Sequence, residues 1–255
     1  MQLSEVKALI TGGVSGLGLA VAQKIVAAGG QAVLLDINDT AGAAAERELG
    51  DAVSYIPTDV TSEQAVTDAV DAAVRKMGMI NVAVNCAGII GAGRVLGREE
   101  PMALDYFSKV IQINLIGSFN IIKAAGAAME SNPENADGER GVVINTASVA
   151  AFEGQIGQAA YSASKGGIVS MTLPIAREFA RLGVRVNTIA PGIFWTPMVD
   201  GMPEHIQESL SASIPFPSRL GKPEEFADLA AHIMENGYIN GQTLRLDGAV
   251  RLAPK

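Results

Sequence analysis

Seven short apolar runs, separated by longer amphipathic segments, frame the chain. They are VKALIT (6–11), QAVLLD (31–36), AVSYIP (52–57), INVAVNC (80–86), GVVINTA (141–147), VRVNTIA (184–190) and QTLRLD (242–247). Their β-branched and apolar residues point to both faces, as in strands covered by helices on each side of a parallel sheet. The segments between them run roughly 10–25 residues, enough for the helices that parallel crossovers need. The alternation predicts an α/β fold, one doubly wound (Rossmann) domain over 1–255, with a seven-stranded parallel sheet and helices on both faces. No linker, repeat or composition shift divides it. Thr61 with Gln64 has capping-box spacing before one helix, and Gly78 suits its stop. Two stretches break the pattern. ESNPENADGERG (130–141) reads as a solvated surface loop, and the segment at about 191–221 is longer than a connector needs to be. Within the latter, Met202, Ile206, Leu210 and Ile214 recur every four residues, an apolar stripe that suits either a packed helix or a substrate lid.

Composition narrows the class. Of 255 residues 48% are hydrophobic, so a large core is available and global disorder is excluded. No uninterrupted apolar run reaches membrane-spanning length, and the N-terminus enters a strand pattern at once, so neither a transmembrane helix nor a leader is expected. The closing RLAPK carries no sorting signal. A net charge of −8 argues against nucleic-acid binding. One cysteine, Cys86, and two distant histidines, His205 and His232, leave no cluster for a metal. The expectation is a cytoplasmic enzyme or small-molecule binder with no metal, nucleic-acid or membrane partner.

The first strand runs into TGGVSGLG (11–18), where Gly12, Gly16 and Gly18 punctuate a turn that opens a helix. Such glycines allow a tight turn, backbone approach to a pyrophosphate and close helix–strand packing, while the helix N-terminus faces the phosphates. Asp36 closes the second strand, where a carboxylate accepts from both adenosine ribose hydroxyls and repels a 2′-phosphate. Gly13, Val14, Ile37 and Asn38 bring no cation beside it. The cofactor predicted is NAD rather than NADP.

AAYSASKGG (159–167) sets Tyr161 and Lys165 four positions apart, on one face of a helix, among small residues that leave room for a close approach. Taken with TGGVSGLG, DV (59–60), NCAG (85–88), Asn114, Ser148 in NTASVAA and PGIFWT (191–196), this order of motifs resembles the short-chain dehydrogenase/reductase family over essentially the whole chain. The resemblance implies that Tyr161 is the acid/base, Lys165 its charged partner and nicotinamide-ribose ligand, Ser148 the substrate-oxygen donor, and Asn114 the holder of a relay water. A phenol of pKa about 10 working near neutrality needs roughly 3 units of phenolate stabilisation, about 4 kcal/mol. It further implies that Ser15 and Leu17 meet the phosphates, Asp59 and Val60 the adenine, Asn85, Cys86, Ala87 and Gly88 the adenosine side, and Ile193, Phe194 and Thr196 the carboxamide. Cys86 stands where the family more commonly has asparagine, which reads as a small buried residue rather than a reactive thiol.

NTASVAAFEGQIGQAAYSASKGGIVSMTLPIARE and IPFPSRLGKPEEFADL resemble the type-2 branch of the 3-hydroxyacyl-CoA dehydrogenases, also known as 17β-hydroxysteroid dehydrogenases type 10. That branch implies a homotetramer of lipid metabolism acting on an acyl-CoA, with Gln155 beside the substrate; Trp195 and Met198 depart from it, as bulky residues expected to reshape the pocket. A 3-oxoacyl carrier-protein reductase, a hydroxysteroid or secondary-alcohol dehydrogenase, and a non-catalytic NAD-binding scaffold are the alternatives.

Overall fold

A computed structural model describes residues 1–200 and 203–254 of the chain. Seven strands alternate with helices, in the order β1 (Lys7–Thr11), α1 (Gly16–Ala27), β2 (Gln31–Asp36), α2 (Asp39–Leu49), β3 (Val53–Pro57), α3 (Glu63–Met77), β4 (Val82–Asn85), α4 (Leu104–Ile111), α5 (Gly117–Met129), β5 (Gly141–Thr146), α6 (Ala159–Phe179), β6 (Val184–Pro191), α7 (Pro197–Asp200), α8 (Glu204–Ala212), α9 (Pro223–Glu235) and β7 (Thr243–Leu246). The strands form a single parallel sheet ordered β3-β2-β1-β4-β5-β6-β7. The fold class expected from the apolar runs is the one found, with strand ends differing by one or two residues. The chain direction across the sheet reverses between β1 and β4, and there the carboxyl ends open a crevice suited to ligands.

Alternate strand residues feed two cores. Ala8, Ile10, Leu34, Val82, Val84, Val142 and Ile144 face one layer with Val21 and Ile25 of α1 and Phe226 and Ile233 of α9. Leu9, Val33, Leu35, Ala83 and Val143 face the other, with Val66 and Val70 of α3 and Ile121 and Ile122 of α5. This period of two is why the runs lack a polar face. Each fully buried branched side chain contributes about 1.5–3 kcal/mol.

Two local expectations are corrected. The cap of α3 is Ser62, whose side chain accepts from Ala65 N–H, because Asp59 Oδ1 already takes both the N–H and the hydroxyl of Thr61. Gly78 ends α3 in the left-handed region as expected. The 130–141 loop is anchored rather than merely solvated. Asn132 is buried and donates to the carbonyls of Ile80 and Arg140, while Glu139 forms a buried ion pair with Arg185. Finally, α4 and α5 join through a π-turn (Gln112–Ile116) into the stretch Leu104–Met129, long and apolar enough by length and composition to cross a membrane. Half of its apolar window is buried inside this fold, against α3 and α6, which accounts for its hydropathy as a core helix.

The 191–221 segment is stitched at its base by Phe194 and Gly221, with Trp195 N–H on Gly221 C=O and Gly221 N–H on Ile193 C=O. Of the expected stripe, Leu210 and Ile214 join an apolar cluster with Val199, Leu220 and Val250. Met202 lies outside the described residues, as do the side chains of Ile206 and Met198.

Candidate active site

A cavity of about 1230 Å³ runs along the carboxyl ends of the strands, from the glycine turn after β1 to the 191–221 segment. At its nucleotide end the backbone is built for close approach. Gly12 has φ +60°, and a Cβ there would come within 2.8 Å of Ala87 N. A Cβ on Gly18 would meet the Gly12 carbonyl at 2.4 Å, so α1 sits directly against the turn. Ser15 occupies the cap position of α1 but makes no side-chain bond to its amides, which leaves the first N–H groups directed at the cavity without an intrahelical partner. Thr11 Oγ1 accepts from the N–H groups of Cys86 and Ala87 and so holds the loop after β4 against this turn.

Asp36 lines the cavity and makes an Asx turn with one oxygen only. Its Oδ1 accepts from Ile37 and Asn38 N–H at 2.8 and 3.1 Å, contacts that leave Oδ2 out. Asp59 likewise uses Oδ1 for Thr61 and lines the cavity with Val60. Cys86, Ala87 and Gly88 line it as well. Asn85 does not. Its side chain turns into the sheet, donating to Asn145 Oδ1 at 2.8 Å across the β4–β5 pair, because the pleat sends Asn85 and Cys86 to opposite faces. Burial pushes the Cys86 thiol up to about 11, so it is a protonated packing residue at neutral pH.

At the other end Ser148, Tyr161 and Lys165 share the wall. Ser148 follows β5, where its hydroxyl accepts from Ala150 N–H and is hydrogen-bonded to Tyr161. Lys165 is buried. Its Nζ donates to the Thr146 carbonyl at 2.8 Å and stands 5.8 Å from the centre of the Tyr161 ring. Burial pulls the ammonium down to about 8. Burial also raises the Tyr161 phenol, opposed by the Ser148 hydrogen bond. Burial thus works against the phenolate that a base acting near neutrality needs, and the Ser148 contact works for it.

Asn114 sits on the π-turn, a helix irregularity frequent at functional sites. Its side chain closes a pair of bonds with the Ile89 backbone and donates to Ser164 Oγ at 3.0 Å. The amide thus fixes the loop after β4 to α6. The small residues of AAYSASKGG serve the protein's own packing in part: Ala160 and Ser164 are buried, and Ser162 lies under Gly154. Ile193, Phe194 and Thr196 line the cavity, Phe194 with its ring stacked edge-on against Phe226, which leaves mainly its backbone to face a ligand. Gln155 also lines it, with its amide donating to Ala253 C=O. Trp195 lies in a separate depression with Glu204 and Gln207 and does not shape the main cavity. Thr146 and Ser164, passed over within the motifs NTASVAA and AAYSASKGG, bond Lys165 and Asn114, and Leu252 lines the cavity with no motif to announce it. Among the described residues no group of three His, Cys, Asp or Glu side chains could hold a metal ion.

The family model of the short chain dehydrogenases matches residues 6–207. The 3-hydroxyacyl-CoA dehydrogenases type-2 of Homo sapiens and Bos taurus are each 52% identical over 249 residues, covering 97% of this chain and 95% of theirs. The protein of that name from Drosophila melanogaster is 48% identical over 248 residues, covering 96% of this chain and 97% of its own. The crystal structure of 3-hydroxyacyl-CoA dehydrogenase type-2 from Mycobacterium avium superimposes with a TM-score of 0.94 at 42% identity, covering 97% of this chain and 96% of that one.

Proposed function

Because the chain belongs to the short-chain dehydrogenase family of oxidoreductases, we propose that it oxidises the hydroxyl of a 3-hydroxyacyl-CoA to the ketone with NAD. The observation that carries this reading is the meeting of Ser148, Tyr161 and Lys165 on one wall of the cavity whose far end holds the glycine turn and Asp36. When bound, NAD accepts the hydride that leaves the carbinol carbon. The protein's part is positional and protonic. Ser148 Oγ orients the substrate oxygen, and Tyr161 Oη takes its proton. Lys165 stabilises the phenolate form of Tyr161 that accepts this proton, and it holds the nicotinamide ribose. Cys86, Ala87 and Gly88 hold the adenosine side through their backbone, and the amides opening α1 hold the pyrophosphate.

Asp36 supports NAD over NADP by at least about tenfold in kcat/KM, about 1.4 kcal/mol. The turn cannot accommodate a basic side chain at Gly13 without movement, since a Cβ there would meet the Ile10 carbonyl at 2.8 Å. NADH absorbance over short-to-long 3-hydroxyacyl-CoAs, carrier-protein thioesters, steroids and simple alcohols, each with NAD and NADP, tests both statements. Equal use of the two cofactors sinks the role of Asp36, and turnover of steroids or alcohols alone sinks the acyl-CoA assignment. Asp36→Ala with Ile37→Arg narrows the cofactor gap, since position 37 is 78% exposed and free to carry a cation.

The working form on this reading is a homotetramer. Tyr106, Ile116 and Phe119 on the α4–α5 stretch and Leu173 on α6 are exposed apolar side chains, and edge strand β7 is only half-buried. The segment after β7 folds over its own cavity. Light scattering should give four times the 26.4 kDa chain mass. A monomer at micromolar concentration counts against assembly.

A further inference from the structure

Residues 247–254 leave β7 and return to the cavity under unusually tight polar control. Arg245 reaches Glu153 with two parallel bonds, Nη1–Oε1 at 2.7 Å and Nη2–Oε2 at 2.9 Å, and gives its Nε to Asp247 at 2.7 Å. Its Nη2 also donates to the Val250 carbonyl at 3.2 Å. Gln155 Nε2 donates to Ala253 C=O and Ile156 N–H to Pro254 C=O, both at 3.0 Å. Ala249 is held at φ 67° with its N–H on Asp247 Oδ1, a conformation that an L-residue keeps only where its surroundings enforce it. These constraints bury Val250 and set Leu252 against the cluster of Val199, Ile214 and Leu220. Leu252 also lines the cavity with Val199 and Leu210. It is wedged between the loop that follows Ser148 and the 191–221 segment.

We propose that Leu252 is a specificity-determining residue, an apolar stop for the alkyl chain of the substrate, and that the Arg245–Glu153 pair positions it relative to Ser148. The neighbours of Leu252 in the wall are aliphatic, so the substrate part it meets is hydrocarbon. A wall residue tied to the Ser148 loop and to the 191–221 segment fixes how far an alkyl chain extends beyond the reacting carbon. This rests on the dehydrogenase reading above but not on the acyl-CoA assignment.

The test is kcat/KM with NAD over a graded series of 2-alkanols, with 3-hydroxyacyl-CoAs of graded length in parallel. Leu252→Ala should raise the long-to-short ratio by about tenfold, and Leu252→Trp should lower it by a similar factor. Glu153→Gln, which does not line the cavity, should blunt the length discrimination of the wild-type protein in the Ala direction. A merely structural role lowers every length by one factor and leaves the ratio unmoved, and that result in both Leu252 variants overturns the proposal. Turnover of alcohols with none of acyl-CoAs overturns the substrate assignment, while the alcohol ratio still decides the role of Leu252. No turnover of either series overturns both.

Discussion

Tyr161→Phe should lower kcat by about 10²–10⁴ while leaving the fold and NAD affinity close to those of the wild-type protein. The substitution removes one hydroxyl and keeps the ring, so the packing of α6 is unchanged. Ser148, the hydrogen-bond partner of that hydroxyl, keeps its bond from Ala150 N–H and is not stranded. The lost function is specific: no other titratable side chain is hydrogen-bonded to Ser148 among the described residues, so nothing can take over the proton of the substrate oxygen. Stopped-flow NADH formation measures the rate, and calorimetry with NAD measures the binding. Near-normal turnover of a good substrate by the Phe variant would remove Tyr161 from the chemistry and leave the pair a packing feature of α6.

How much of this was legible in the sequence follows from range. The strands were readable because burial on both faces is written in consecutive residues, and the glycine turn because Gly18 answers to the Gly12 carbonyl within the same turn. Tyr161 and Lys165 share a face by helical arithmetic alone. What escaped depends on contacts between distant segments. Asn85 belongs to a motif by position, yet the β4–β5 register hands its side chain to Asn145. The cap of α3 moved one residue because Asp59 had already claimed Thr61. Leu252 joins the site through Arg245, Glu153 and Gln155, a set of bonds spanning nearly a hundred positions that leaves no local periodicity. The depressed Lys165 and the raised Tyr161 have the same origin, since both shifts come from burial and burial is a property of the finished fold.

Those two shifts set the second large effect. Lys165 lies at about 8 because burial disfavours its charge, and Tyr161 lies above its ordinary value of about 10 for the same reason. Unit charges about 6 Å apart at an effective dielectric near 20 attract by about 3 kcal/mol, or about two pKa units, so a protonated Lys165 markedly favours the phenolate. When the pair has lost one proton, the phenolate–ammonium form and the phenol–amine form hold the same number of protons. Their ratio is therefore independent of pH. Alcohol oxidation draws on the first form, so wild-type kcat/KM should climb about tenfold per pH unit up to about 8 and then level. In Lys165→Ala only the phenol titrates, from its raised value, and the rising limb should continue past pH 10. At pH 8 the variant should be down by about 10² or more, with weaker NAD binding through the lost ribose contact. Adding Tyr161→Phe should cost little further, because the two side chains act as one proton-transfer unit. A Lys165→Ala profile that levels at the wild-type pH would show that the ammonium does not tune the phenol and would confine Lys165 to holding the cofactor.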